Sequence, residues 1–232
     1  MMSRFLFFSV LIVVTACNPR IGNGLRKNDL RKDVEMVTTK GVLVIRLSDS
    51  TPLHRDNFLK LVKQRYYDSI LFHRVIQNFM VQGGDPDSKR AKPGAQLGNG
   101  GPAQTIPAEF RPSLFHRKGV IAAARQGDDV NPKKESSASQ FYLVKGRVFT
   151  DKSLDSTETY RLNGRKLPEE HRKIYKTIGG VPHLDQNYTV FGEVIKGIEV
   201  IDSISAVPTS GRPADRPLVD VKILKARLVK RH

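Results

Sequence analysis

The chain has 232 residues, a length that suits one domain of ordinary size with additional segments. Its formal net charge is +16, which raises the question of an anionic partner. Cys17 is the only cysteine, and the sequence therefore excludes a disulfide framework and every cysteine-based metal centre or nucleophile.

Residues 1–16 have the pattern of an export signal. A short basic start is followed by ten residues, 5–14, that are apolar except for Ser9. Because a run this short does not span a hydrocarbon layer of about 30 Å, it predicts a signal peptide and not a membrane helix. Small residues then precede Cys17, which resembles a bacterial lipoprotein signal and predicts that Cys17 is lipidated. The alternative is a plain secretory signal with an incidental cysteine.

Asn18 follows the predicted lipidation site, where an aspartate often marks retention at the inner membrane. We therefore expect a lipid-anchored protein of the bacterial cell envelope, with the outer membrane favoured. Residues 17–33 are polar and charged, have no clear period and include Gly22-Asn23-Gly24. This composition predicts a flexible tether before a folded domain at residues 34–232.

Basic residues crowd the segment after Cys17 and the C-terminal end of the chain. Nucleic acid is disfavoured as a partner, since the basic residues are not interleaved with aromatic ones and the chain carries an export pattern. Anionic lipid head groups or surface polysaccharide fit better, because the segment after the anchor must lie near the membrane. An ordinary solvated surface is the default interpretation.

The elements of the domain follow in chain order. Residues 37–47 predict two strands that turn at Lys40-Gly41, and Thr51 with Pro52 predicts the start of a helix. Short strands separated by glycine and proline come next, the rhythm of an all-β barrel or sandwich. We expect a second helix within residues 194–204 and a closing strand within residues 218–229.

One strand-like stretch, residues 72–85, combines unusual side chains. Apolar and polar residues alternate until Gly83-Gly84. Arg74, Met80 and Gln82 share even parity and so point to one side, with Phe79 beside them. A cation and an amide at the rim of an apolar floor suit a neutral, partly polar ligand such as a peptide bond. The alternative is an ordinary half-buried strand.

Residues 146–181 have a helical pattern. Leu167-Pro168-Glu169-Glu170 is typical of a helix start, and Gly179-Gly180 of a stop. Ile174, Tyr175 and Ile178 form an apolar stripe between them, and Asp151 or Ser153 suits the cap of another short helix. We expect this segment to dock on the rest of the domain through the stripe. Its function is not indicated by the sequence.

The order Phe-His-Arg-Val-Ile-x-x-Phe-Met-Val-Gln-Gly-Gly-Asp at residues 72–85 resembles the signature of the cyclophilins, which are peptidyl-prolyl cis-trans isomerases. Further stretches resemble the family in the family's order: Asn57-Phe58-Leu59, Gly98-Asn99-Gly100-Gly101, Ile106-Pro107-Ala108-Glu109-Phe110, Gly119 to Ala124, Ser139-Gln140-Phe141-Tyr142, Leu184-Asp185 and Tyr188 to Gly192. The match runs from about residue 34 to 229 and is interrupted once, at about residues 146–181, which makes that segment an insertion.

The resemblance implies a fold and an activity. The expected fold is mainly β, a closed eight-stranded antiparallel β-barrel with two capping helices, here with the helical insertion. The expected activity is peptidyl-prolyl cis-trans isomerisation of proline-containing polypeptides. Because the chain itself is predicted to be exported, we expect these substrates to be exported proteins. No cofactor is implied, and the histidines have no metal-ligand spacing.

The resemblance also implies roles for individual residues. Arg74 and Gln82 would be catalytic, and Gln82 and Gln140 would hold substrate carbonyls and orient Arg74. The remaining positions implied for substrate binding surround the proline and the groove beside it: Phe79, Met80, Ala124, Gln140, Tyr142, His183, Leu184 and Tyr188. His183 stands where many members have a rim tryptophan, so weakened cyclosporin binding is expected.

Two other functions remain open at this point. The protein could be a catalytically weak peptide-binding holdase or scaffold of the cell envelope that keeps the groove. It could also be a structural lipoprotein of the cell envelope that functions through its basic surface. The presence together of Arg74, Phe79, Met80, Gln82 and Gln140 favours the enzyme.

Overall fold

The structure is a computed structural model that describes residues 20–21 and 24–231. The predicted signal peptide, the predicted lipidation site Cys17 and residues 18–19 and 22–23 of the predicted tether lie outside these residues. Within the described part of the chain, no helix combines the length and the apolar character that crossing a membrane requires.

Strands outnumber helices in the described residues, as the sequence predicts. The strands are β1 (Arg20–Ile21), β2 (Leu25–Arg26), β3 (Lys32–Thr38), β4 (Gly41–Leu47), β5 (Phe72–Ile76), β6 (Met80–Gly83), β7 (Thr105–Ile106), β8 (Val120–Ala123), β9 (Ser136–Ser137), β10 (Phe141–Val144), β11 (Val190–Lys196) and β12 (Ile223–Lys230). The helices are α1 (Pro52–Lys63), α2 (Asp151–Tyr160), α3 (Glu169–Thr177) and α4 (Ile198–Ser205).

Eight of the strands form one antiparallel sheet in the order β12-β3-β4-β11-β8-β10-β6-β5. The sheet curls until its two edges are joined by hydrogen bonds from neighbouring residues: Ser69 N donates to Ile223 O at 2.8 Å and Phe72 N to Val221 O at 2.8 Å. β5 and β12 do not pair along their length, because the loop before β12 covers part of β5, where Val75 N donates to Asp215 O. The expected closed barrel is therefore corrected: the sheet is strongly curled but forms a half-barrel.

The hydrophobic core fills the inside of this curl. Alternate residues of β4, namely Leu43, Ile45 and Leu47, are at most 3% exposed, as one buried face of a strand requires. Helices α1 and α4 contribute Phe58, Leu59, Val200 and Ile201 among others to the same cluster. They correspond to the two expected capping helices. The second begins at Ile198 and not at residue 194, because Val194 is still paired with Ile45 in the sheet.

The C-terminal part of the expected tether is different from the prediction. Residues 27–31 form a 3₁₀ helix, and Leu25 is 1% exposed against the core. The Asp29 carboxylate accepts hydrogen bonds from Lys63 Nζ at 2.8 Å and Lys32 Nζ at 3.2 Å. Residues 24–33 are therefore attached to α1. The attachment depends on the apolar side chain of Leu25 and on the ion pair between Asp29 and Lys63. The periodicity of apolar residues in the sequence does not reveal such contacts.

Residues 146–181 form the expected pair of helices, α2 and α3, around a small core of their own. Phe149, Leu154, Leu167 and Tyr175 pack there against Phe115 of the main domain. Tyr175 is fully buried and Ile174 half-buried, whereas Ile178 is 48% exposed. The predicted stripe is therefore correct at its first two members only. Ile178 lies just after the end of α3, where the chain leaves the helical spacing.

Candidate active site

A cavity of about 280 Å³ lies on the outer surface of the curled sheet. It is lined by eight of the residues that the sequence singled out: Arg74, Phe79, Met80, Gln82, Ala124, Tyr142, Leu184 and Tyr188. We call it the proline cavity. Gln140 lines an adjoining cleft of about 600 Å³, and His183 a further cleft of about 390 Å³ on the other side of Phe79.

The strand register explains why these side chains meet. Arg74 on β5 is paired with Gln82 on β6, which is paired with Tyr142 on β10, which is paired with Ala122 on β8. Directly paired residues of neighbouring strands point to the same face of a sheet. The row therefore runs across four strands with a cation at the sheet edge and an aromatic ring two strands further in.

The floor of the proline cavity is apolar and well packed. Met80 is 2% and Tyr142 4% exposed, and both belong to one hydrophobic cluster with the partly buried Phe79, Leu184 and Tyr188. The rings of Tyr142 and Tyr188 meet edge to face, with their centroids 6.0 Å apart. Such a floor holds an apolar ring and excludes water from one side of it.

Arg74 is 40% exposed in its side chain and lies at the open side of the cavity. Its Nε is 3.7 Å from Oδ2 of Asp215, a buried residue of the loop before β12. The resemblance implied that Gln82 and Gln140 orient Arg74. Among the described residues the ion partner of Arg74 is instead Asp215, and the two glutamines bond to each other and to the neighbouring loop.

Gln140 is almost saturated with hydrogen bonds. Its Oε1 accepts from Gln82 Nε2 at 3.1 Å, and its Nε2 donates to the carbonyl oxygens of Gly98 and Gly100 at 2.8 and 2.9 Å. The same loop is held from behind by the buried Asp85, which accepts from the backbone amides of Gly98 and Gly100. Gln140 therefore fixes Gln82 and the 98–101 loop.

A buried chain of hydrogen bonds runs from the cavity floor to the 146–181 segment. The hydroxyl of Tyr142 lies 2.9 Å from Nε2 of His116, and Nδ1 of His116 lies 3.0 Å from Oδ1 of Asp185. The Tyr175 hydroxyl on α3 donates to the other oxygen of Asp185 at 2.8 Å. Burial raises the pKa of Tyr142 and Tyr175 well above the ordinary value, so both hydroxyls keep their protons.

Sequence reasoning missed His116, Tyr175 and Asp215 as parts of the site. The hydroxyl of Tyr142, in a residue predicted to line an apolar site, is the one signal that could have suggested a buried polar partner. Nothing in the sequence pairs Asp215 with Arg74, because the contact joins a sheet edge to a distant loop.

Two histidines near the site are uncharged at neutral pH. Burial lowers the pKa of His73 to about 4, more than the nearby Asp85 raises it. Burial also lowers the pKa of His183 to about 4, with Arg161 and His116 acting in the same direction. His73 is 3% exposed and lines the proline cavity although its parity assigns it to the other side. Neither nitrogen of its ring has a hydrogen-bond partner among the residues that the structure describes.

Arg125 narrows the groove beside the cavity. Its guanidinium carbon lies 4.4 Å from the centroid of the Tyr188 ring, and its Nε donates to Asn187 O at 2.8 Å. An ion pair of 2.6 Å to Asp128 holds the other end of the guanidinium. No three His, Cys, Asp or Glu side chains of the described residues form a group that could hold a metal ion.

Comparison with known proteins gives the chain its family. Residues 33–228 match the family model of cyclophilin type peptidyl-prolyl cis-trans isomerases. A putative peptidyl-prolyl cis-trans isomerase of Staphylococcus saprophyticus is 32% identical over 215 residues, which cover 91% of this chain and 98% of the relative. One of Staphylococcus haemolyticus is 32% identical over 206 residues, 88% of this chain and 94% of the relative.

The fold agrees with the same family. The crystal structure of a cyclophilin type peptidyl-prolyl cis-trans isomerase of Cryptosporidium parvum superposes with a TM-score of 0.60 at 24% identity and covers 87% of this chain and 99% of its own. The chain belongs to the cyclophilin-type peptidyl-prolyl cis-trans isomerases, whose substrates are proline-containing polypeptides.

Proposed function

We propose that the chain isomerises X-Pro bonds of exported polypeptides, with Arg74 as the catalytic residue, and that a lipid on Cys17 attaches it to the bacterial cell envelope. One observation carries the catalytic assignment. A half-exposed guanidinium lies at the rim of an apolar cavity of about 280 Å³, paired in register with Gln82.

The chemistry requires no covalent step. Rotation about an X-Pro amide is slow because resonance gives the C–N bond double-bond character, with a barrier of about 18–20 kcal/mol. When the amide twists, resonance is lost and the lone pair of the proline nitrogen becomes an acceptor. A donor that bonds this nitrogen only in the twisted state lowers the barrier without tightening the ground state.

Each part of the proline cavity has a role in this proposal. The floor of Phe79, Met80 and Leu184 holds the proline ring. Arg74 donates to the twisted nitrogen with the planar fork of donors of its guanidinium. Gln82 holds a substrate carbonyl, and Gln140 fixes Gln82. The position of Asp215 supports a role in aiming Arg74.

A relative supports the choice of ligand. The Cryptosporidium parvum enzyme has been solved in the presence of the dipeptide Ala-Pro, with a TM-score of 0.59 to this chain. In this proposal the cavity described here takes the proline of the substrate. Ala124 then lies along the groove taken by the residue before the proline, whereas Tyr142 and Tyr188 belong to the cavity floor.

The predicted export signal and Cys17 support the proposed location, and Asn18 favours the outer membrane. A lipid-anchored isomerase meets its substrates as they leave the membrane, where newly exported chains are still unfolded. The helices α2 and α3 form a separate small core, which supports the interpretation of residues 146–181 as an insertion into the family's domain.

The proposal is tested by measuring isomerisation of a proline peptide with Arg74→Ala. We expect kcat/KM to fall by about two to three decades, the usual loss when one preorganised donor is removed. Peptide affinity, measured by calorimetry, should change far less, because the planar amide nitrogen is a poor acceptor. Arg74→Lys should restore little, since a single ammonium does not reproduce the planar fork.

Arg90→Ala is the matched control, an exposed arginine away from the cavity. Normal melting of Arg74→Ala together with near-wild-type turnover would contradict the mechanism. A wild-type protein that binds the peptide but does not isomerise it would support the second candidate, a peptide-binding holdase or scaffold. The solvent-accessible position of Arg74 favours the enzyme, because a holdase has no need of a donor there.

A further inference from the structure

The 146–181 segment forms one wall of a second cleft beside the proline cavity. This cleft of about 390 Å³, which we call the lateral cleft, lies between helix α2 and the rim of the active site. Phe79 lines both the proline cavity and the lateral cleft. Its ring stacks on that of His183, with the centroids 5.8 Å apart and the planes 16° from parallel. The Phe79–His183 stack is therefore the wall that separates the two.

The charge of the lateral cleft is positive. Arg147 and Arg161 line it, and no Asp or Glu is among its lining residues. Both arginines are exposed, and neither forms an ion pair with a described residue, in contrast to Arg172 on α3, which contacts four carboxylates. Two cations without counterions at a concave surface attract an anionic group and favour its retention.

Arg147 is held in position by its side chain and its backbone, and Arg161 by its backbone. Arg147 lies with its guanidinium carbon 4.7 Å from the centroid of the Phe149 ring, and its backbone exchanges two hydrogen bonds with Gly180. Arg161 ends α2, and its backbone N–H donates to Thr157 O at 2.9 Å. Ser156 and Tyr160 add hydroxyl groups along the α2 side of the cleft, and these can donate to a carboxylate as well. The Ser153 hydroxyl also lines the cleft but already donates to Thr150 O at 2.9 Å.

We propose that the lateral cleft is a specificity subsite that binds the acidic side chain of a residue flanking the proline in the same substrate chain. The inference rests on the proposed isomerase function, since the flanking residue reaches the cleft when the proline occupies the neighbouring cavity. Continuity through Phe79 and the unpaired arginines carry the argument. The 146–181 segment then selects which X-Pro bonds the enzyme turns over.

The test is a set of short peptides with one proline and with Glu, Gln or Lys at each flanking position, assayed at low ionic strength by exchange NMR. At one flanking position the wild-type kcat/KM should be about three- to tenfold higher for Glu than for Gln, as one or two partly exposed ion pairs produce. The preference should decrease as salt is added. It should vanish when Arg147→Ala and Arg161→Ala are combined.

Charge reversal gives a gain that a folding defect cannot imitate. Arg161→Glu should turn the preference toward Lys peptides while the Gln peptide is processed as before. Lys152→Glu is the matched control, because Lys152 is an exposed cation of the same helix that does not line the cleft. This control should keep the preference for Glu. Arg161 also lies at the C-terminal end of α2, where a cation favours the helix itself, so melting is recorded for each variant.

Equal rates for Glu and Gln peptides in the wild type would overturn the inference, as would a preference that survives the double substitution. If the Gln peptide were not isomerised at all, the proposed function would fail. The subsite would still be tested by calorimetry with the same peptides, where a difference between Glu and Gln in Kd that Arg161→Glu reverses supports it and equal affinity contradicts it.

Discussion

At the scale of single residues, the strand period places Arg74, Met80 and Gln82 at one cavity, and this was readable from the sequence. The ion partner of Arg74 could not be predicted from the sequence. Asp215 belongs to a loop before β12, and its contact with Arg74 at 3.7 Å exists only after the sheet has curled. Its backbone has a φ of 49°, a conformation that aspartate and asparagine tolerate better than most residues.

Asp215→Asn should lower the kcat of the isomerase about three- to tenfold, because the guanidinium loses a charged partner that helps to aim it. KM should change less than kcat, since the cavity floor is untouched, and asparagine keeps the backbone conformation. The measurement is a full Michaelis–Menten analysis with peptide binding alongside. Asp220→Asn is the control, because Asp220 pairs with Arg216 at 3.0 Å in the same loop and not with Arg74. Equal losses in both variants would exclude a positioning role for Asp215.

His73 makes stability depend on pH. Its pKa is lowered by burial from 6.5 to about 4, so the unfolded chain binds a proton that the folded protein does not. The free energy of unfolding is therefore highest above pH 6.5. It falls as the pH decreases toward 4, and the contribution of His73 to this fall is about 3 kcal/mol at pH 4. His73→Gln should flatten the fall of Tm between pH 7 and 4. His183 should leave a remaining slope. An unchanged slope in His73→Gln would show that His73 is not the group responsible.

At the scale of elements, the helices were easier to predict than their attachments. Pro52 predicted the start of α1. Pro168, the acidic first turn and the glycine stop predicted α3 within a few residues of its observed bounds. The attachments depend on buried polar contacts between distant residues. Asp29 with Lys63 fixes residues 24–33 to α1, and Tyr175 with Asp185 fixes α3 to the site. Local patterns carry no information on such pairs, and the tether was predicted too long for that reason.

The contact of Tyr175 with Asp185 can be tested by removing one oxygen. Tyr175→Phe keeps the ring in its small core but leaves one carboxylate oxygen of Asp185 without this donor. We expect the free energy of unfolding to fall by about 1–3 kcal/mol, as for a buried bond to a charged group, with a small change in turnover. Chemical denaturation measures the loss. Tyr160→Phe serves as control, since Tyr160 is 78% exposed. A Tyr175→Phe protein as stable as the wild type would show that the chain of hydrogen bonds contributes nothing.

At the scale of the whole molecule, the sequence predicted a mainly β fold with several helices, and the structure is an eight-stranded antiparallel sheet with four helices. Several motifs in family order made that possible. The expected closure of the barrel was wrong, because a loop covers part of β5 and the sheet stays a half-barrel. The attachment of the molecule to a membrane rests on residues outside the described part and stays a prediction.

That prediction concerns Cys17. The wild-type protein should fractionate with membranes and stay there in high salt, because acyl chains are not released by screening charge. Cys17→Ala should block lipidation and this route of signal maturation. Metabolic labelling with a fatty acid and fractionation of both proteins give the measurement. Release of the wild type by salt alone would indicate adsorption through its positive charge.

The loop that covers β5 has a consequence for what this enzyme does with unfolded chains. Arg74 lies on an edge strand, and an open edge beside a peptide groove would invite an unfolded polypeptide to add itself as a further strand. The amides of Phe72 and Val75 are instead occupied by the carbonyls of Val221 and Asp215. An unfolded substrate is thus bound through one proline and its neighbours and does not pair with the backbone of the edge strand. The enzyme can release each client as soon as the bond has turned, without becoming a template for its aggregation.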